Sequence, residues 1–240
     1  MKIKLKIQRQ DSEKALAYWQ SFVMEAEENT PITHLLKQLN EQDEIRDAEG
    51  NLTRKIIWEC SCNQKICGSC AMVINGVPML ACGAFVGAVA KKGEIELSPL
   101  KKFATICDLK VDRSDIYEYM KEMKLWLTED AVVNERENNA QYLAASCALC
   151  GCCLEVCTNY TGKGSFYGAA IMNQTFRVST QEGDASARKG LLKKYSKHGS
   201  GGCSKSLACE KICPQKLPLG ITISKMNKLK FKERLTFGGK

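Results

Sequence analysis

The chain has 240 residues, a formal net charge of +8, 44% hydrophobic residues and 14 cysteines. That length suits two modest domains, and no stretch approaches the roughly 18 apolar residues of a membrane span; the longest soft run, Leu80 to Ala90, is broken by Gly83 and Gly87. A basic chain admits nucleic acid as a partner, but no helix-turn-helix or aromatic RNA-binding pattern supports one, and there is neither a dinucleotide fingerprint nor a P-loop.

Lys2 to Gln8 alternates polar residues with Ile3, Leu5 and Ile7, the signature of a half-buried strand. No signal peptide precedes it, so an oxidising compartment is not expected. Trp19 to Glu25 reads as the hairpin partner. Thr30 is placed to cap a helix with Pro31 at its first position, and Leu35, Leu36 and Leu39 form its apolar face. Glu41 to Thr53 is charged and loop-like. Cys62, Cys67, Cys70 and Cys82 then follow C-x4-C-x2-C-x11-C, whose first three match the plant-type [2Fe-2S] spacing. Gly68 and Ser69 leave backbone N–H groups free to turn toward the sulfurs. Ala71 to Ile74 reads as a strand, and Asn75-Gly76 is a strong hairpin signal that returns the chain to Cys82. A strand pair around Lys91-Lys92-Gly93 completes a β-grasp ferredoxin pattern, assigned to residues 1–104.

Beyond residue 104 the periodicity becomes helical. Ile116, Tyr119, Met120, Met123 and Leu127 share one helical face. An acidic, Asn-rich connector from Glu129 to Asn139 leads to a short helix at Gln141 to Ala145. Cys147, Cys150, Cys153 and Cys157 then follow C-x2-C-x2-C-x3-C, the bacterial-ferredoxin run whose fourth cysteine ligates the other cluster. Phe166 to Val178 and Ile221 to Phe231 read as helices. The return half is Cys203, Cys209 and Cys213-Pro214, with Ser206 where a complete pattern has cysteine. Cys147, Cys150, Cys153 and Cys213 therefore suit a [4Fe-4S] cluster. Cys157, Cys203 and Cys209 leave one corner without a thiolate and suit [3Fe-4S]; Ser206 as an alkoxide ligand is the less favoured alternative. The fold class is α+β: a β-grasp [2Fe-2S] domain, then an α-helical bacterial-ferredoxin-like domain over 105–240.

These sets use 11 of the 14 cysteines, leaving Cys60, Cys107 and Cys152 as small buried residues. Structural zinc or disulfides do not explain a fourth cysteine shared between halves beside a plant-type loop. His34 and His198 are the only histidines; the first is read as structural and the second as a loop residue. The Gly199-Ser-Gly-Gly202 run is read as letting backbone pass close to Cys203. Residues 203–240 carry nine Lys or Arg against Glu210 and Glu233, a local +7, which suits an acidic partner or an anionic membrane surface as well as plain solvation.

Nearly the whole chain resembles the iron–sulfur subunits of succinate dehydrogenase and fumarate reductase. The resemblance is carried by Cys62-Asn-Gln-Lys-Ile-Cys67-Gly-Ser-Cys70 with Cys82, by Phe103-Ala-Thr-Ile-Cys-Asp-Leu-Lys-Val-Asp112, by the Cys147–Cys157 run, and by Cys203-x5-Cys209-x3-Cys213-Pro214. It implies a subunit with no substrate site of its own. Electrons would pass between a flavoprotein subunit holding FAD and a membrane anchor with quinone, with haem allowed on the anchor, at the cytoplasmic face of the cell membrane. The [2Fe-2S] cluster would face the flavoprotein, the [4Fe-4S] cluster would bridge, and the [3Fe-4S] cluster would face the anchor. Thr158 stands where relatives often have proline, and Ser204 and Tyr160-Thr161-Gly162 stand where ubiquinone-using relatives often have histidine and tryptophan. These departures bear on a quinone contact from this subunit and leave the cluster chain untouched. The competing readings are a hydratase acting through an open iron corner near Ser206, and a three-cluster subunit serving another dehydrogenase or a thiol donor.

Overall fold

In the computed structural model, residues 1–132 and 135–237 are described. Val133 and Asn134 of the expected connector and Lys240 of the basic tail lie outside them, as do the side chains of Glu233 and Arg234. The chain divides into two compact units, residues 1–112 with 150–152, and residues 113–149 with 153–240.

The first unit is built on a five-stranded sheet. Strand β1 (Lys2–Arg9) pairs antiparallel with β2 (Tyr18–Glu25), from Lys2 opposite Glu25 to Arg9 opposite Tyr18. The period-2 pattern points Ile3, Leu5 and Ile7 inward, each fully buried. Helix α1 (Ile32–Asn40) covers that face with Ile32, Leu35, Leu36 and Leu39. Its N-terminus differs from expectation. Pro31 is the N-cap, and the Thr30 hydroxyl accepts from the Glu27 N–H instead. Residues 41–53 contain a small hairpin, β3 (Ile45–Arg46) with β4 (Leu52–Thr53), where a loop was expected.

Strand β5 (Ala71–Ile74) turns at Asn75 and Gly76 into β6 (Val77–Leu80). Both turn residues have positive φ, 49° and 80°, the geometry that matches strand twist in a two-residue hairpin. A short helix α2 (Val86–Val89) stands where the first strand of the 91–93 pair was expected. Only β7 (Glu94–Ser98) forms, between β1 (parallel) and β5 (antiparallel), giving the order β2-β1-β7-β5-β6. A last hairpin, β8 (Ala104–Cys107) with β9 (Lys110–Asp112), carries the unit past residue 104. A buried ion pair ties that hairpin in. Asp108 and Arg9 are both 0% exposed, with Arg9 Nε donating to Asp108 Oδ1 at 3.0 Å. Asp108 also accepts from Arg54 and from the N–H groups of Gln10 and Ile57.

The second unit is helical: α3 (Ser114–Met123), α4 (Glu135–Ala145), α5 (Cys152–Glu155, whose first residue counts with the first unit), α6 (Gly168–Gln181), α7 (Ala185–Tyr195), α8 (Ala208–Ile212) and α9 (Leu219–Phe237). Ile116 and Met123 of α3 are buried, but Lys124 adopts φ 57° and ends the helix before Leu127. Helix α4 begins within the stretch expected to be connector. Helix α6 lies at the centre, buried from Gly168 to Phe176, and α3, α4, α7 and α9 pack around it. Helix α7 was not foreseen. Its N-cap is Asp184, whose side chain accepts from the Ser186 N–H at 2.8 Å.

Candidate metal centres

In the loop before β5, Asn63 and Lys65 take φ 54° and 61°, and Gly68 takes 76°. These left-handed residues turn successive N–H groups inward. Gln64 N–H and Cys67 N–H donate to Cys62 Sγ at 3.3 and 3.4 Å, and Lys65 N–H donates to Cys82 Sγ at 3.3 Å. The last bond brings the return of the β5–β6 hairpin onto the loop 17 residues earlier. Cys67 Sγ lies 3.1 Å from Ser69 Oγ. Cys70 and Cys82 are buried and Cys67 is exposed.

Electrostatics separate these thiols. Burial pushes the Cys70 thiol up to about 12, with the Cys82 sulfur adding to it. Burial acts upward on Cys67 too, but hydrogen bonds involving Ser69 and Cys62 outweigh it and bring it down to about 6. Cys70 would thus give up its proton only on binding a cation. Cys60 is half-buried rather than buried, and its thiol donates to Asn63 Oδ1 at 3.0 Å. Cys107 is also half-buried, while Cys152 is fully buried as expected.

In the second unit, Cys157, Cys203 and Cys209 line one cavity of about 530 Å³, with Ser204, Lys205, Ser206 and Leu207 in its wall. Burial pushes the Cys209 thiol up, and the Cys203 and Cys157 sulfurs add to the rise, which places the three within electrostatic reach of one another. Lys205 and Leu207, on either side of Ser206, have φ 58° and 59°. Two non-glycine residues in this sparse region give the loop a costly backbone path that its surroundings must hold in place. Gly202 and Gly199 do not serve Cys203 directly. A Cβ on Gly202 would lie 2.6 Å from the Phe166 ring, and one on Gly199 would lie 2.8 Å from Tyr195, so these glycines admit rings.

Cys147 follows α4, Cys153 lies within α5, and Cys213 caps α8 with its N–H on Glu210 O at 3.2 Å. Cys150 is buried. Among the described residues no three Cys, His, Asp or Glu side chains form a group that could hold a single metal ion; an iron–sulfur cluster distributes its thiolates over several irons. All-cysteine donors with N–H groups aimed at sulfur, and a cavity beside three more cysteines, fit such clusters.

The histidines change place. His34 is exposed. His198 is buried in a π-helical turn (Ser196–Ser200), bonds Ser165 O through Nδ1 at 2.8 Å, and stacks on Tyr167 with ring centroids 4.3 Å apart. No local periodicity marks that packing, because its partners lie some 30 residues away.

A family of 2Fe-2S iron-sulfur cluster binding domains matches residues 4–118, and a 4Fe-4S dicluster domain family matches 143–217. The succinate dehydrogenase iron-sulfur subunit of Bacillus subtilis is 28% identical over 235 residues, covering 94% of this chain and 91% of that protein. The fumarate reductase iron-sulfur subunit of Wolinella succinogenes is 31% identical over 169 residues, covering 66% and 70%. A chain of the Mycobacterium smegmatis Sdh1 complex in the apo form has the same fold, with TM-score 0.81 at 19% identity over 98% of this chain and 97% of that one.

Proposed function

The chain belongs to the iron–sulfur subunits of succinate dehydrogenase and fumarate reductase, and we propose that it relays electrons through three separately built cysteine sets. Clusters held there would supply one-electron redox chemistry between the FAD of a flavoprotein subunit and the quinone of a membrane anchor. Cys62, Cys67, Cys70 and Cys82 hold [2Fe-2S]. Cys147, Cys150, Cys153 and Cys213 hold [4Fe-4S]. Cys157, Cys203 and Cys209 would hold [3Fe-4S], and Ser206 lines the same cavity without adding a thiolate. The domains divide as 1–104 and 105–240 in sequence terms, and the β8–β9 hairpin extends the first unit to Asp112.

The protein's part is to hold and bias. N–H donors on Cys62 and Cys82 favour the reduced, more negative state of whatever those sulfurs ligate. The single observation that carries the reading is the meeting of Cys157, Cys203 and Cys209 on one cavity with Ser206 in its wall. The hydratase alternative would need acid–base groups there. Among the described residues lining it the one carboxylate is Glu210, and it accepts from the Gly220 N–H at 2.6 Å and so serves the start of α9.

No helix among the described residues is long and apolar enough to cross a membrane. The local +7 over residues 203–240 supports attachment at the anionic cytoplasmic face, beside the anchor subunits. The test is affinity purification of this chain from its own membranes. A covalent-FAD flavoprotein and succinate–quinone electron transfer should come with it. A partner dehydrogenase of another substrate, or a thiol-oxidising subunit, would overturn the assignment.

A further inference from the structure

Away from the cysteines, a second cavity of about 500 Å³ opens between α6, α7 and α9. Its size is that of a small-molecule site. Phe176, fully buried, and Leu192, 5% exposed, are among its lining residues, and half-buried Leu229 adds to the apolar part. The Ser179 and Thr180 hydroxyls that also line it donate to carbonyls of their own helix, on Thr175 and Phe176. Among the described residues, the charged side chains lining it are Arg188, Lys225, Lys228 and Lys232 and the carboxylate Glu137, a balance of +3 from four minus one. Lys225 Nζ bonds Glu137 Oε2 and lies 5.9 Å from the Phe176 ring centroid.

Cations around an apolar wall suit a ligand with an anionic head and an apolar body. A flat basic strip would suit an acidic protein segment equally well. An apolar wall that includes a buried aromatic ring favours the amphiphile. We propose that this cavity binds one acidic phospholipid, its phosphate held by Arg188, Lys228 and Lys232 and the start of its acyl region against Phe176, Leu192 and Leu229. Arg188 distinguishes the site from the basic tail, because it comes from α7 and not from residues 203–240. The inference rests on the reading that this unit works beside a membrane, and it adds a defined lipid site to that reading.

Native mass spectrometry of the detergent-solubilised complex tests it, with dioleoyl phosphatidylglycerol and dioleoyl phosphatidylcholine as probes. One phosphatidylglycerol should be retained per copy of this chain, and phosphatidylcholine should not. At about 1 kcal/mol per basic residue, Arg188→Ala with Lys228→Ala should weaken retention roughly 30-fold. Lys216→Ala with Lys230→Ala removes the same charge outside the cavity and should leave retention unchanged; Lys230 Nζ bonds Ser200 Oγ at 2.7 Å. Equal loss from both pairs would reduce the effect to general electrostatics and overturn the site. So would displacement by millimolar inorganic phosphate, which has no apolar part, or by an acidic peptide. Membrane fractionation separates the two claims: a wild-type complex that is membrane-bound yet retains no phosphatidylglycerol refutes the lipid site alone, and a wild-type complex that does not stay with the membrane overturns the membrane reading.

Discussion

Replacing Asp108 with Asn should strongly destabilise the first unit, although the residue lies outside every proposed cluster set. Its carboxylate is 0% exposed and accepts five N–H bonds of 2.7–3.0 Å: from Arg9 Nε, the Arg54 Nη1 and Nη2 groups, and the Gln10 and Ile57 backbone. Arg9 is equally buried and is otherwise held by Gln20, Thr53 and the carbonyls of Arg54 and Lys55. An amide keeps the volume but removes the charge and aims two donors at donors. Breaking a buried pair this way costs about 3–5 kcal/mol, because the remaining charge stays buried. In a unit of this size that corresponds to roughly 10–20 °C in Tm.

Hydrogen exchange of β1 amides, read as opening free energy, measures the loss directly. The pH dependence has a definite sign. Burial raises the Asp108 pKa, but hydrogen bonds from Arg54, Arg9 and the Ile57 and Gln10 N–H groups outweigh it and hold it below the usual carboxylate range. The stabilisation is therefore complete above the unfolded pKa of about 3.9 and lost as pH falls through the lowered folded value. Wild type and variant should differ by a constant amount from pH 5 to 8 and converge only in stronger acid. Arg9→Met with Asp108→Leu removes the buried charge of Arg9 but leaves the Gln10 and Ile57 N–H groups and the half-exposed Arg54 without this acceptor, so it should recover only part of the loss. A loss below about 1 kcal/mol, or a difference that changes near neutrality, would refute the argument.

Ser206→Cys supplies a fourth thiolate and should convert [3Fe-4S] to [4Fe-4S] with a lower potential, because added negative charge opposes reduction; persistence of the oxidised [3Fe-4S] signal in low-temperature EPR would count against the ligand set. Neutralising Lys225, Lys228, Lys230 and Lys232 together should weaken membrane attachment by about 2–4 kcal/mol, two of the four being tied to Glu137 and Ser200; equal retention of variant and wild type across a salt series would assign the tail another role. Gly168→Ala should cost about 2–4 kcal/mol, from φ +78° and a Cβ 2.3 Å from Leu154 Cδ2. Gly76→Ala, at φ +80° with nothing within 4 Å, should cost only the backbone part, about 1–2 kcal/mol, and urea midpoints compare the two.

What was legible in the sequence was local. Alternation revealed β1, Asn75-Gly76 the β5–β6 hairpin, and the leucine spacing of α1 its buried face. Cysteine spacing carried the candidate ligand sets because cluster loops are contiguous. What escaped depended on distant partners. Arg9 looks like the polar end of a strand, yet it continues the inward face because Asp108 waits 99 residues on. His198 looks like loop and is buried against Tyr167 and Ser165. Thr30 looks like a cap, but the Glu27 turn takes its hydroxyl. Helix α7 has only a weak apolar stripe, Leu191, Leu192 and Tyr195, and with it the Arg188 side of the second cavity stayed hidden.

Iron content of the anaerobically purified chain tests the central claim most directly. Sets of two, four and three irons predict about nine irons per chain, with about ten acid-labile sulfides and no zinc. A value near four, or stoichiometric zinc, would contradict the three-cluster relay.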